Sequence, residues 1–519
     1  MKSKLHDVGL IVGLIVGLTA TLLATFVATP ARADRGSGEA GSESSADGDG
    51  EDARDIDDDG RHVAVAAGWA ALELAIPAWY YWRTQDEQEV DWTRPSWKDK
   101  LTLHSVRFDT NAFHVNAIRH PLTGIGDYQF ARSNGFSPLE STIFTYLAGA
   151  LWEFCVEYRE DPSINDLIMN GAGGLAIGEP LYQIGNLWRG GELSLIDRIR
   201  TAAFSPFAAT QDLWRSHRTW HRRRAWSDFA VIAGAVSHRL EDGATRPELA
   251  IGLDIDVVRD RAFAAGGAHD GRIATGAWSR VALGARLGNA GAGADAVETS
   301  FRSRTAIAGS YTQDDDGNGR LLALGAAFTY RRERLAQGGD HVAIAHLLGP
   351  QLQLSRRTSA GELRWDLAGY VDFGLIDAHV FSPISPLPPP PPYLSTLQVA
   401  GYYDGGGATV ETRVRGDRGP WHAELELTGH QLWSLDFADR VQQVADISRA
   451  AEPATAIAIP PTPHGVADLR LYGHAQLGIR SGPWGLAATA DAAVRRGTWS
   501  DLERTTYDWS LGLLATANL

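Results

Sequence analysis

Leu363-Arg364-Trp365-Asp366-Leu367-Ala368-Gly369-Tyr370-Val371-Asp372-Phe373 alternates along its whole length. Leu, Trp, Leu, Gly, Val and Phe fall on one side; Arg, Asp, Ala, Tyr and Asp fall on the other. Period two with one apolar face is the signature of a strand that turns one side away from water. The pattern recurs in Leu249, Ile251, Leu253, Ile255 and Val257, set against Ala250, Gly252, Asp254 and Asp256. It recurs in Val281, Leu283, Ala285 and Leu287, and again at the end in Tyr507, Trp509, Leu511, Leu513, Ala515, Ala517 and Leu519. Read from Trp226 onward, the pattern predicts twelve strands, with ten and fourteen as bounds. Their spans are 226–237, 247–258, 276–288, 299–311, 320–331, 341–355, 361–377, 394–416, 420–432, 466–480, 483–494 and 505–519. Strands of roughly ten residues or more are long enough to cross a bilayer at a tilt. The expected fold class is therefore α+β: an N-terminal helical module followed by a transmembrane antiparallel β-barrel of about twelve strands.

Loop lengths test that count. Turns at 356–360, 417–419 and 481–482 fall at one end of the barrel, and the long segments 378–393 and 433–465 fall at the other. Short periplasmic turns and long outer loops are the rule for such barrels. Pro388 to Pro392 cannot join a ladder and suit a loop. The stretch 259–275 is a long loop at the end that should be short. Asp404 to Gly407 reads as a kink within one strand. The apolar face carries Trp365, Phe373, Trp421, Trp484, Tyr507 and Trp509, which suit interfacial girdles. The other face carries Arg, Asp, Glu, His and Gln, which suit a wet or plugged lumen. A soluble β-sandwich is the competing account. The terminal strand resembles the assembly signal of outer-membrane barrels, with Leu519 where Phe is usual.

The 519-residue chain has room for two or three domains. Residues 1–33 read as a cleaved export signal: Lys2 and Lys4, an apolar run from Val8 to Val27, then Ala31-Arg32-Ala33. Residues 34–61 are expected to be an acidic disordered linker. The formal charge is −15, and residues 39–59 hold ten acids against one arginine. An exported acidic chain is not a nucleic-acid binder. The single cysteine, Cys155, allows no internal disulfide and is expected to be a small buried hydrophobe. Asp55, Asp57, Asp59 and Gly60, and Asp314, Asp316, Asn318 and Gly319, imitate calcium loops without the closing glutamate. Both read as solvated acidic loops.

Residues 62–225 form the expected helical module and 226–519 the barrel. The spacing predicts helices at 62–82, at 137–160 behind Ser137-Pro138, and from Ser163 to about Trp188. Ser163-Ile164-Asn165-Asp166 reads as a capping box with Asp in place of Glu. Gly171, Gly173, Gly174 and Gly178 allow close backbone approach. Residues 109–188 hold an ordered motif: Asp109, Asn111, Asn116, His120-Pro121, Gly124, Tyr128, Arg132, Trp152-Glu153, Glu157, Ser163, Asp166, Gly174 and Gly178-Glu179. This block, at about residues 100–190, resembles a bacterial family of exported proteins known only as domain of unknown function 3943. The resemblance implies an envelope location and, often, a barrel-like C-terminal half. It implies no activity, substrate or cofactor.

Read from the residues alone, Glu153 and Glu157 share a helix face and need a positive neighbour. Arg132, His114 and His120 are candidates. Structural carboxylate–arginine bridges are the leading account. Metal or acid–base work through His120, Glu153, Glu157 and Glu179 is the alternative. Within residues 109–188 no tight two-histidine spacing is present, and no metal or cofactor is assigned. Ser163 is a helix cap and not a nucleophile, since no Gly-x-Ser-x-Gly turn surrounds it. Arg218, Arg222, Arg223 and Arg224 precede the first strand beside Trp220 and Trp226, and read either as a contact for lipid phosphates or as a solvated joint between the domains. The expected function is a non-enzymatic outer-membrane barrel with a helical plug or periplasmic module, acting as a channel or an envelope structural component. An envelope enzyme acting on lipid or glycan is the alternative. A tether whose acidic tail meets a periplasmic protein is a third.

Overall fold

The computed structural model describes residues 61–84, 95–158, 160–189, 194–214, 226–258, 268–289, 294–336, 338–359, 361–384, 396–450 and 465–518. The signal, the acidic linker and the arginines Arg218, Arg222, Arg223 and Arg224 lie outside the described residues.

Among the described residues eight helices precede the barrel: α1 (Val63–Thr84), α2 (Trp97–Leu101), α3 (His120–Ser133), α4 (Pro138–Leu151), α5 (Ile164–Gly173), α6 (Glu179–Gly185), α7 (Leu195–Phe204) and α8 (Pro206–Trp214). Their starts follow from the caps. Ser137 and Glu140 close a reciprocal capping box on α4, and Ser194 and Asp197 close another on α7. Three π-helical turns, Val115–Arg119, Trp152–Val156 and Gly174–Gly178, adjoin α3, α4 and α5.

The barrel strands are β1 (Trp226–Arg239), β2 (Thr245–Val258), β3 (His269–Ile273), β4 (Trp278–Asn289), β5 (Ala294–Gln313), β6 (Gly319–Arg334), β7 (Gly339–Thr358), β8 (Gly361–Asp377), β9 (Tyr402–Arg418), β10 (Trp421–Ser434), β11 (Val466–Ser481), β12 (Trp484–Trp499) and β13 (Leu502–Asn518). Every pairing is antiparallel, β1 pairs with β13, and β5 pairs with β6, so the sheet closes. Beside β5, β3 continues the line of β4, and the wall is therefore twelve strands round. The expected long loop at 259–275 is thus partly strand. Asp404 to Gly407 lie inside an unbroken β9. That strand starts eight residues later than expected, behind a short 3-10 turn at Thr396–Gln398. The long segments 378–401 and 435–465 leave the same end, the latter carrying α9 (Phe437–Ala450). We call this the loop end; the chain enters β1 and leaves β13 at the opposite, turn end.

The lumen is closed by the barrel's own side chains. Arg302 of β5 crosses to Glu411 of β9 at 2.8 Å and to Glu426 of β10. Arg286 of β4 crosses to Asp491 of β12 at 2.8 Å. Arg495 of β12 meets Glu333 at 2.6 Å and Asp340 at 3.0 Å, and Arg470 meets Asp340 at 2.6 Å. At the loop end Val380 and Phe381 fold in and bury with Ile344, Tyr403, Leu432 and Trp499. At the turn end Trp278, Tyr311, Leu321 and Val258 fill the mouth. A cavity of about 210 Å³ remains between them.

The helical module is not in that lumen and does not stand below it. It packs on the outer wall. Phe301 and Ser303 of β5, Phe328 and Tyr330 of β6, Ala343 and Ala345 of β7 and Phe373 of β8 all point away from the lumen residues Arg302, Thr329, His346 and Asp372. Phe328, Tyr330, Ala343, Ala345 and Phe373 bury against Met169, Ala172, Ala176 and Ile177. Ile184 and Phe204 cover Phe229, Leu253, Ile255 and Val281 in the same way. Ser303 donates to the Ala176 carbonyl at 2.6 Å. The expected plug and periplasmic placements therefore give way to lateral docking. Helices and outer wall both offer apolar side chains, while the lumen is already filled by crossing ion pairs and by the apolar clusters at its two mouths. Phe373, expected in a girdle, is 2 % exposed and stacks on Phe108. Trp365, Trp421, Trp484, Tyr507 and Trp509 stay exposed as expected, joined by Trp433.

Within the module α3 and α5 nearly touch. A Cβ on Gly124 would stand 1.9 Å from the Asn170 carbonyl oxygen. Cys155, expected to be buried, is exposed. Gly124→Ala should force the two helices apart and destabilise the module by about 1–3 kcal/mol or more. The check is limited proteolysis: faster cleavage within 62–214, with the barrel's heat-modifiable gel mobility unchanged.

Candidate functional site: a buried histidine–carboxylate cluster

Three separate turns build the cluster. The π turn Trp152–Val156 carries Glu153. The π turn Val115–Arg119 carries Asn116 and leads into His120. Ser163 starts α5, its Oγ accepting the Asp166 N–H at 3.2 Å. Single π turns shift a helix's facing by about one residue and gather at functional sites. Here they rotate Glu153 and Asn116 inward, where both are 0 % exposed.

Asp109 organises the floor. Its carboxylate accepts from Asn111 (2.6 Å), Asn116 (2.7 Å) and Asn165 (2.6 Å), and its N–H donates to Asn165 Oδ1 at 3.0 Å. A short parallel bridge between Arg107 and Ser163 holds the two segments side by side. Above this floor His120 Nε2 lies 3.2 Å from Asp166 Oδ2. Glu153 Oε2 accepts the Ser163 N–H at 2.8 Å, while Glu153 Oε1 is buried without a hydrogen-bond partner. One donor atom each from His120, Glu153 and Asp166 lie within 4.8 Å of one another.

The charge balance is unusual. Three carboxyls, Asp109, Glu153 and Asp166, crowd one imidazole, and Glu153 and Asp166 are fully buried. The Lys100 ammonium is itself buried, but it donates to the carbonyls of Glu153 (3.2 Å) and Glu157 (2.7 Å).

The sequence grouped His120, Glu153, Glu157 and Glu179. The structure keeps His120 with Glu153 and adds Asp166. Glu157 ends the π turn, where its carbonyl holds Lys100. Glu179 belongs to a second cluster: it accepts from Arg132 Nε at 2.9 Å, from Tyr128 at 2.8 Å and from Gln183. Arg132 also lies over the Tyr182 ring. That cluster reaches the barrel at Gly276 (φ +77), where a Cβ would fall 2.3 Å from Glu179 Oε1. The carboxylate–arginine bridge expected within the module is therefore Arg132–Glu179. Asp166 was read as the second half of a capping box. Its N–H is capped, but its carboxylate serves His120, and the Ser163 N–H goes to Glu153. Among the remaining motif residues, Trp152 packs edge-on to Tyr81, Pro121 lies against Gly173, and Gly178 lies against Tyr128.

Residues 105–207 match a family described as domain of unknown function, DUF3943. No curated protein matches the chain. Among solved structures, the Pseudomonas putida toluene transporter TodX is 7% identical, with a TM-score of 0.21, covering 56% of this chain and 89% of its own. The beta domain of the Bordetella autotransporter BrkA is 9% identical, with a TM-score of 0.22 and coverage of 56% and 98%. An anion-selective porin from Comamonas acidovorans is 7% identical, with a TM-score of 0.19 and coverage of 57% and 100%.

Arg132→Ala would leave Glu179 buried without its cation. Losing one partner of a buried pair costs about 3–5 kcal/mol. Thermal unfolding followed by tryptophan fluorescence should show that loss, with Arg132→Lys falling between the two.

Proposed function

We propose that this protein is an outer-membrane barrel of a Gram-negative envelope that is shut to diffusing solutes and works as a lateral scaffold. In this reading it holds the helical module within the membrane, against its wall. The observation that carries the reading is the filled lumen: arginine–carboxylate pairs cross it, and apolar side chains close both mouths.

The exposed surface supports a lipid setting. On β10, Trp421 and Trp433 are both exposed and twelve residues apart. At ~3.3 Å per residue and ~40° tilt they stand ~30 Å apart along the membrane normal, near the height of a lipid-facing band. Leu425, Leu427, Leu477, Ile479, Leu486, Leu511 and Leu513 fill the space between such girdles. The helices continue this surface. α1 is long and apolar enough to cross a membrane, and α4 exposes Leu139, Ile143, Leu147 and Leu151 along one stripe. Outer-membrane lipid is thus the proposed partner, and the N-terminal 33 residues are the proposed export signal.

Planar-bilayer recording tests the closed lumen. The native chain should give no stable conductance steps. Deleting 379–384 together with Arg302→Ala should produce them. Large, steady steps from the native chain would overturn the scaffold reading in favour of an open channel. The buried His120 cluster, in a module bordering lipid, favours one second reading: an envelope enzyme acting on lipid. His120→Ala should then abolish a lipid modification while gel mobility stays native.

A further inference from the structure

We propose that His120, Glu153 and Asp166 bind one divalent transition-metal ion, with zinc as the reference case. This goes beyond the scaffold reading and does not depend on whether the lumen conducts.

The argument starts from charge. Three carboxyl groups, Asp109, Glu153 and Asp166, converge in one buried place. The direct side-chain contacts of Glu153 and Asp166 include no lysine or arginine among the described residues; Lys100 spends its protons on backbone carbonyls. Asp109 is satisfied by three amides. Glu153 has only the Ser163 N–H, and Asp166 has only a long 3.4 Å contact from the Asn165 amide and the His120 imidazole. Isolated buried carboxylates are too costly to stay ionised, so they take either protons or a cation.

Three further features select the cation. The first is Glu153 Oε1, which is fully buried, without a partner, on a side chain whose other oxygen is fixed by the Ser163 N–H. A carboxylate held by one oxygen and bare at the other is oriented as a ligand. The second is spacing. His120 Nε2 and Asp166 Oδ2 are 3.2 Å apart, close to the ~3.3 Å between two ligands on a tetrahedral ion with bonds of ~2.0–2.1 Å. The third is the far side of the imidazole. Asn170 is 3 % exposed, its Nδ2 lies 3.5 Å from His120 Nδ1, and its Oδ1 is buried without a partner. A half-turn of the amide brings that oxygen to the Nδ1–H. This is the outer support that metal-bound histidines use to fix tautomer and ring orientation.

One imidazole with two carboxylates suits zinc, manganese or ferrous iron better than magnesium or calcium, which take oxygen alone. The His120 side chain keeps 13% exposure, so the site is not sealed within the module. Three protein ligands leave a tetrahedral ion one open position, the arrangement of reactive metal centres and not of closed structural ones.

The test uses the full chain in detergent, stripped with chelator and then titrated with zinc chloride. Elemental analysis after gel filtration should find about one zinc per chain. His120→Ala, Glu153→Gln and Asp166→Asn should each weaken binding at least ~100-fold, and Asn170→Ala ~10–100-fold as an outer-shell change. Heat-modifiable mobility and protease resistance of the module report folding in every variant. Glu179→Gln, in the neighbouring cluster, should bind zinc as the native chain does. A native chain that retains no zinc, or variants that retain it equally, would overturn the site and leave carboxyls neutralised by protons alone.

Discussion

Closure of the sheet is the constraint on which the rest depends. Once β1 pairs with β13 and β5 with β6, the wall has no edge, and each side chain must point either into a narrow lumen or out. Arg, Asp, Glu and His can meet the lumen only as partners, and they do: Arg302, Arg286, Arg470 and Arg495 each reach a carboxylate on another strand. Low local dielectric makes such pairs rigid and unpaired members costly. A lumen satisfied this way has no room for a plug. The module then has only the outside of the wall to bury against.

That outside is divided. From β1 to β8 part of it carries Phe229, Ile255, Val281, Phe328 and Phe373 under the helices. From β9 to β13 it carries Val410, Leu425, Leu477, Leu486 and Leu511, all exposed. The two regions have the same chemistry and differ only in what covers them. The helices cover wall with one face and expose apolar side chains on the other, so barrel and module share one apolar exterior. The segment before α3 ties this assembly to the loop end. The Phe108 N–H donates to Asp439 of α9 at 2.8 Å, and the Phe108 carbonyl accepts from Gln443.

The same physical demand, that buried charge find a partner, separates the module's two polar clusters. Glu179 has Arg132, Tyr128 and Gln183 and is complete. Glu153 and Asp166 have one imidazole, one backbone N–H, a 3.4 Å contact from the Asn165 amide and an orphan oxygen. The complete cluster stands where helix meets barrel, at Gly276. The incomplete one stands near the loop end, with His120 partly exposed. Structural work and chemical potential thus sit in different places within one motif block.

The twelve-strand wall was legible in the sequence because period two holds over long runs on either side of the bulges near Arg286, Ala306, Gly325 and His346, and because turns of two or three residues such as 417–419 leave little freedom in register. The helix starts at Ser137 and Ser163 were legible because capping is local. Lateral docking was not legible. Phe373 and Trp365 occupy one face of one strand, and an apolar face looks the same whether lipid or a helix will cover it. Half of the candidate cluster, His120 and Glu153, could be named from residue type. Asp166 could not, since its place in a capping box already explained it, and Glu179 was misplaced because Arg132 lies forty-seven residues away in sequence. The sequence by itself determined which residues form strands and which of their faces avoid water, because those follow from local periodicity. Only the tertiary structure decided what each apolar face touches and which carboxylate meets which cation, because those contacts join segments far apart along the chain.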